Sequence, residues 1–520
     1  MKLNRKKIIS ILFTVLLFST VLPLISVSAA TEDEIEASIQ KGLDWLVATQ
    51  NDDGSWGDYE YVAHTAFAVL KLIDRAMELE QDPFDPAYEY HIALMDGMNF
   101  LFMNAHVMAL ADQPAGNPDT NLNGIGVYFE NPGEMHHRTY STGSSLMTMG
   151  AAAAVNPAFI VPVGPLNGWT LGGVVQEAVD YAAYGQNEGG DERGGWGYYE
   201  NYGWSDNSNS GWMTLGVGYA LTSGANVPQF LFDELNTWID FIQNDVSGGS
   251  GYDHPDNWVN MLKTGNLLYQ MALVGDDKDS IRAQAAINYQ EATWNDPYDP
   301  GYDYNGHPDY QYTYCIMKGF EALGVETINV GGDMDWFDVI STEIVLTQNA
   351  DGSWPNGGWD NPILATTWAL LTLERAVAIP RITVYVDVKP GSWPNPFNKK
   401  AKGVFAIAIC GTEDFDVTTI DPATVMISLD METGVSSVKW HYEDAATPYE
   451  DKSPDEPDGH ELTGDGIMDL VLHFVRQEVV ELGLCEYETG DFVKLYVMGF
   501  TGENGEGVPI HGFDWIRVKK

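Results

Sequence analysis

The octapeptide Thr49-Gln50-Asn51-Asp52-Asp53-Gly54-Ser55-Trp56 returns as Thr347-Gln348-Asn349-Ala350-Asp351-Gly352-Ser353-Trp354 with one position changed. Two such stretches, so far apart, do not match through composition; the chain between them is built from a repeat. Weaker copies lie in between. Gln186-Asn187 leads into Gly194-Gly195-Trp196-Gly197, Gln243-Asn244-Asp245 into Gly248-Gly249-Ser250-Gly251-Tyr252, and Tyr289-Gln290 into Trp294 and then Gly301-Tyr302. Each copy stands between two stretches of helical periodicity.

The first repeat shows the logic. Thr31 with Glu34 makes a capping box, and Ile35, Ile39, Leu43 and Leu46 mark one apolar face. Asp53-Gly54 ends that helix in a tight turn. The helix that follows, over Tyr61–Met77, is apolar on more than one face and is expected to be an inner, buried one. Further inner helices are expected over His137–Ala154, Asn209–Leu221, Trp258–Leu273, Tyr310–Leu323 and Pro362–Val377. Outer partners are expected over Tyr90–Met103, Val174–Tyr184, Phe230–Ile242, Ser280–Tyr289 and Trp336–Leu346. Six outer–inner pairs are enough to close a ring; the alternative is an open solenoid. The matching first and last repeats favour the ring.

The Gln-x-x-Asp-Gly-Ser-Trp element between an outer and an inner helix resembles the QW repeat of squalene and terpenoid cyclases and of the related prenyltransferase β-subunits. The resemblance covers roughly residues 31–380 and implies an all-α (α/α)6 toroid. It implies little about activity, because the Gln can satisfy free groups at a helix end and the Trp packs across the turn. The catalytic elements of that superfamily are missing. The cyclases protonate an alkene with an Asp-x-Asp-Asp element; the nearest approach here is Asp333-Met334-Asp335-Trp336. The prenyltransferases hold zinc with an Asp-x-Cys element and a later His; there is no Asp-x-Cys, and Tyr312 stands where the His would be. The superfamily zinc site is therefore not carried over, and the Cys-Gly-Glu-Gln thioester element of α2-macroglobulin, which shares the fold, is also missing.

The expected starts of the inner helices carry His64, His136, His137, Asp206, His254 with Asp256, and His307 with Asp309. In a toroid these would ring one mouth of the cavity. Helix capping explains the carboxylates, since Asp and Asn accept from free N–H groups. The histidines are not explained that way, which leaves a shared site for acid/base chemistry or a divalent metal. Aromatics crowd the same rim, among them Trp196, Trp212, Trp258, Tyr310 and Tyr312 as candidate ligand-binding rings. Flat rings beside carboxylates suit a neutral sugar; they suit an apolar ligand, or packing of loops on helix ends, as well.

Beyond Pro380 the pattern changes to alternation. Ile382–Val388, Val404–Ile409, Val425–Leu429, Leu470–Phe474, Val493–Met498 and Trp515–Val518 read as strands, and a β-sandwich over 381–520 is expected. Lys389-Pro390-Gly391-Ser392-Trp393-Pro394-Asn395, Gly411–Val417 and Gly464–Leu472 resemble a small domain appended to many secreted bacterial and archaeal proteins. Its Asp-rich loop looks like a calcium loop. Here Glu461 and Thr463 replace two ligands, leaving Asp465 and Asp469 for Ca2+; the alternative is an Asp-Gly turn opening a strand.

Lys2, Arg5, Lys6 and Lys7, an apolar run from Ile8 to Ile25 and small residues to Ala30 read as a signal peptide over residues 1–30, the alternative being an uncleaved anchor; cleavage gives a secreted protein with no membrane-spanning segment. Cys410 and Cys485 could then form a disulfide, while Cys315 reads as a buried free thiol. The formal charge is −49. Such a surface repels nucleic acid and polyanionic glycans. Only ten Lys and Arg lie between Thr31 and Pro380, too few for a nucleotide or diphosphate site. Two functions remain: a binding protein for a neutral glycan, peptide, lipid or other small molecule or a cell-surface component, or an extracellular hydrolase, lyase or divergent isoprenoid cyclase working at the His/Asp rim.

Overall fold

The computed structural model describes residues 29–519 except 58, 131–136, 298–300, 305, 358–359, 377, 379–381, 413–414, 430–433, 450–456, 458–462, 485–486 and 503–508. The stretch before residue 29, which the sequence analysis reads as a signal peptide, and His136, Pro380, Glu461 and Cys485 with its expected disulfide lie outside the described residues. The chain is multidomain, a helical part followed by a β-rich part with separate apolar cores.

Twelve helices form the first part among the described residues. The even-numbered ones are α2 (Tyr61–Glu78), α4 (Arg138–Val155), α6 (Asn207–Thr222), α8 (Met261–Leu273), α10 (Tyr310–Leu323) and α12 (Pro362–Leu373). They alternate with α1 (Glu32–Ala48), α3 (His91–Met103), α5 (Leu171–Gly185), α7 (Gln229–Ile242), α9 (Ile281–Thr293) and α11 (Trp336–Thr347). The two sets differ as their sequences demand. α1 buries Ser38, Ile39, Gly42, Leu43 and Leu46, one stripe at helical spacing. α12 buries every residue from Ile363 to Leu373. The capping box at Thr31 and Glu34 is formed.

The even-numbered helices pack in series, α2 on α4, α4 on α6, α6 on α8, α8 on α10 and α10 on α12, and α12 packs back on α2. Glycine sets how close they come. A Cβ on Gly143 would stand 2.7 Å from the Met213 backbone nitrogen, and one on Gly265 2.4 Å from the Cys315 carbonyl oxygen.

The repeated Gln ties four of the turns and the repeated Trp three, while Gln290 donates instead to the Met261 carbonyl at the start of α8. Gln50 Nε2 donates to the carbonyls of Gly54 and Ala93, both at 2.9 Å, so it closes its own turn and holds the next odd-numbered helix. Gln186 does the same to Gly194 and Leu231, Gln243 to Gly248 and Arg282, and Gln348 to Gly352 and Ser38. Trp56, Trp196 and Trp354 each return an indole N–H to a carbonyl in the last turn of the helix before: Leu46, Ala182 and Ile344. These carbonyls belong to the last helical turn, where the intrahelical donor is missing and a side-chain donor takes its place.

Short hairpins interrupt the helical series: β1 (Ala105–Ala109) with β2 (Ile125–Phe129), β3 (Asp303–Tyr304) with β4 (His307–Pro308), and β5 (Thr327–Asn329) with β6 (Asp333–Asp335). The rest is β7 (Ile382–Thr383), β8 (Val386–Val388), β9 (Pro396–Asn398), β10 (Val404–Ile409), β11 (Ile420–Ser428), β12 (Gly434–Ser436), β13 (Lys439–Glu443), β14 (Asp469–Val475), β15 (Phe492–Thr501) and β16 (Pro509–Lys519). One sheet runs β13-β14-β10-β8 and the other β12-β11-β15-β16-β7, with β9 beside β16. Ile407, Leu470 and Leu472 of the first share an apolar core with Ile427, Leu495 and Ile516 of the second.

Candidate functional site

Residues at, or in the loops before, the starts of the even-numbered helices link each helix to the next. Asn361 Nδ2 lies 3.4 Å from His64 Nδ1. The turn carrying Glu60 precedes α2, and its carboxylate meets the His137 ring. His137 stacks on Tyr198, with centroids 4.7 Å apart. The Tyr198 and Tyr252 hydroxyls are 3.4 Å apart, and Tyr252 contacts Trp258 at 6.0 Å. Lys263 lies under the Trp258 ring, its ammonium 3.9 Å from the centroid. Asn260 caps α8 and donates to the Tyr312 hydroxyl at 2.6 Å. Tyr312 follows Asp309, which caps α10, and Asp309 and Asp360 feel each other's charge. Asp360 precedes Asn361, the cap of α12, and completes the circuit.

Strain and electrostatics mark three points on it. Glu60 sits at φ 51° and Trp258 at φ 52°, a left-handed backbone that is uncommon for either side chain. Asp360 is half-buried, and burial with the neighbouring Asp309 pushes its carboxyl up to about 7. An acid with that value exchanges protons near neutral pH.

Aromatic side chains from α2, α6, α10 and α12 fill the space between these helices. Trp212 and Trp368 stack at 6.0 Å with planes 6° apart, Tyr314 stacks on Trp212 at 6.2 Å, and Phe67 meets Trp212 edge-on at 4.9 Å. All four are fully buried. Lys318 closes the stack, its ammonium 4.5 Å from the Trp212 ring centre, and burial lowers that amine to about 8. The adjacent Cys315 is buried, and burial raises its thiol to about 11, so it rests protonated. At the other ends of these helices a cavity of about 320 Å³ opens beside Asp74, Tyr219, Glu374 and Ala378.

Of the residues singled out from the sequence, His64, His137 and Asp309 lie on the circuit, and Asp206 lies just behind it. Asp206 is fully buried and accepts from the Ser208 and Asn209 N–H groups as the cap of α6. His254 and Asp256 lie apart, exposed in the turn before α8. His254 packs edge-on against Phe241 of α7, and Asp256 accepts from Asn244 at 2.6 Å. His307 belongs to β4 and stacks on Tyr310. Among the aromatics, Trp258 is 45% exposed and Tyr312 is half-buried. Trp196, Trp212 and Tyr310 show no surface: Trp196 is a repeat tie, Trp212 belongs to the aromatic stack between helices, and the Tyr310 hydroxyl donates to Thr347. No ligand reaches those three in this conformation.

The sequence reading does not pick out Glu60, Asn260, Lys263, Asp360 or Asn361. Asn361 carried a usable signal, an Asx residue directly before Pro362 at a helix start. Glu60 carried none, because only the fold sets it against His137 from another repeat.

In the second part, Asp469 Oδ1 accepts from Gly411 N–H at 3.0 Å, and Oδ2 from Ala445 and Ala446 N–H at 2.8 Å each. Asp465 is exposed and accepts from Ile467 N–H. Among the described residues, no three His, Cys, Asp or Glu side chains gather as a metal set, and no helix is long and apolar enough to cross a membrane.

No family model and no curated protein matches the chain. Among solved structures it is similar to one described as the crystal structure of a protein from Actinoplanes, at 14% identity and a TM-score of 0.38, over 66% of this chain and 98% of that one.

Proposed function

We propose that the chain is a secreted, non-catalytic binding protein built on an (α/α)6 toroid of the cyclase and prenyltransferase type, followed by a β-sandwich. Its ligand is a neutral glycan held on the rim at the starts of the even-numbered helices. The observation that supports this reading is Trp258, a large ring nearly half exposed, in a strained backbone and backed by Lys263. Exposing such a ring forgoes hydrophobic stabilisation, so a ligand that stacks on it offers the compensating gain. Tyr252, Tyr198 and Trp204, each partly exposed, continue the surface. The acidity of the chain suits a ligand without negative charge. Calcium at Asp465 and Asp469 is part of the same reading for the second domain.

The test is affinity electrophoresis through neutral polysaccharides (cellulose, xylan, mannan and chitin derivatives) with the wild type and Trp258→Ala. Retardation by one of them, lost in Trp258→Ala while the far-ultraviolet spectrum is unchanged, supports the reading. Absence of retardation by all four removes it. A second reading, a glycan hydrolase, is favoured by the raised Asp360 carboxyl beside Asp309. It requires release of reducing ends that disappears in Asp360→Asn while retardation persists.

A further inference from the structure

The segment Asp119-Thr120-Asn121-Leu122-Asn123-Gly124-Ile125-Gly126-Val127-Tyr128-Phe129-Glu130 places oxygen-bearing side chains at its first, third and fifth positions, Gly at the sixth and Glu at the twelfth. That is the spacing of a calcium-binding loop. The loop joins β1 to β2. Its first half is wound as the spacing requires. Asp119 accepts from the backbone N–H of Asn123 at 3.1 Å and of Gly124 at 2.6 Å, Asn123 accepts from Ile125 N–H at 2.9 Å, and Gly124 turns at φ 81°.

The second half departs from the pattern. After Gly124 the chain runs extended as β2, which carries Glu130 away to an ion pair with Arg138. Another carboxylate takes its place. Glu177 of α5, against which β2 packs, reaches the loop and accepts on Oε1 from the Asn121 amide at 2.8 Å and from the Asn123 amide. Glu177 is only 4% exposed, and its Oε2 is buried with no hydrogen-bond partner. Its burial and the nearby charge of Asp119 raise its pKa. Among the described residues, neither Glu177 nor Asp119 is ion-paired to a Lys, Arg or His. A buried carboxylate with an unpartnered oxygen and an acidic neighbour is stabilised by a proton or by a cation.

The geometry points to a calcium site formed by the Asp119 and Glu177 carboxylates and the Asn121 and Asn123 amide oxygens, pinning the β1–β2 hairpin to α5. The Asn121 and Asn123 Oδ1 atoms already accept from the Asn123 and Ile125 N–H groups, and each keeps a second lone pair that it can give to a cation. The donors are all hard oxygens from an irregular loop, which suits calcium better than the strict octahedron of magnesium. Two of the four side-chain donors are neutral, so affinity in the weak range typical of extracellular modules, about 10⁻⁴ to 10⁻³ M, is expected. This site is independent of the rim and of Asp465.

The experiment is isothermal titration of the EDTA-stripped full chain with calcium chloride and with magnesium chloride, beside thermal melts. The wild type is expected to bind one more calcium than Glu177→Gln, which keeps the side-chain shape, and Asp119→Asn is expected to bind it at least tenfold more weakly. Calcium raises the Tm of the wild type by more than that of Glu177→Gln. Because only the difference between chains is read, calcium bound at Asp465 does not enter. Equal calcium stoichiometry and affinity in wild type and Glu177→Gln overturns the site. If Glu177→Gln fails to fold, the exposed Asn123→Ala decides: unchanged calcium affinity overturns the site, and weakened affinity supports it.

Discussion

Gln348 Nε2 donates to the carbonyl oxygen of Ser38 at 2.8 Å, across 310 residues of sequence. Gln50 makes the equivalent bond to Ala93 within one repeat of its own position. The last tie is therefore the first tie in wrapped form. α12 packs on both α1 and α2, so the same closure is made by apolar contact as well. Replacing Gln348 with Leu leaves the Ser38 and Gly352 carbonyls without this donor. A loss of about 1–3 kcal/mol is expected, measured by urea unfolding, and Gln50→Leu should cost a similar amount. A Gln348→Leu chain as stable as wild type would show that the amide bonds contribute nothing to closure.

Gly57 turns at φ 86°, and a Cβ there would fall 2.1 Å from His64 Nδ1. Gly57→Ala should therefore strain the backbone and displace His64 together. A destabilisation above about 1 kcal/mol is expected. Denaturation of the purified variant checks it, and an unchanged midpoint would mean that the turn and ring relax freely.

Asp360 titrates near 7 in the folded chain against 3.8 for the ordinary group, its burial being the main cause and Asp309 the second. The folded state holds this proton more tightly than the unfolded state. Stability from this group is thus intact below pH 4, falls as pH rises from about 4 to about 7, and stays low above that. Asp360→Asn should be more stable than wild type at pH 8, by up to about 4 kcal/mol, and level with it at pH 4. Melts across that range give the answer, and parallel curves for the two chains would count against the shift.

Lys318 is a buried amine against Trp212, and burial lowers it to about 8 from 10.5. Here the unfolded state holds the proton more tightly. The cost is full below pH 8 and is relieved as pH rises toward 10.5. Lys318→Met should stabilise the chain at pH 7 by about 1–3 kcal/mol, because an apolar chain of similar length fills the site without desolvating a charge. Guanidinium unfolding at pH 7 tests this; a less stable variant would show that the cation–ring contact outweighs the burial.

The helices were legible because their pattern is local. The expected inner helix over Tyr310–Leu323 is α10 residue for residue, and the one over Tyr61–Met77 ends one residue short of α2. Strands in the second part were legible through alternation, as in Leu470–Phe474 within β14. Caps followed the same rule: Asp206 and Asp309 bond to N–H groups two and three residues on. The rim was legible only in part. His254 and His307 share the tripeptide His-Pro-Asp yet lie in different settings, one in an exposed turn and one in a strand.

The sequence by itself determined the repeat, its helices and the residues that tie its turns, since these depend on side chains a few positions apart. Only the tertiary structure decided what each ring and carboxylate faces. It put Trp212 in the aromatic stack between helices and Trp258 at the surface, although both are tryptophans at the start of an inner-helix pattern. It also brought Glu177 against Asn121 and Asn123 and carried Glu130, the residue the loop spacing names, away to Arg138. Such pairings depend on how helices from different repeats and a hairpin pack in space, and no local period in the chain encodes that.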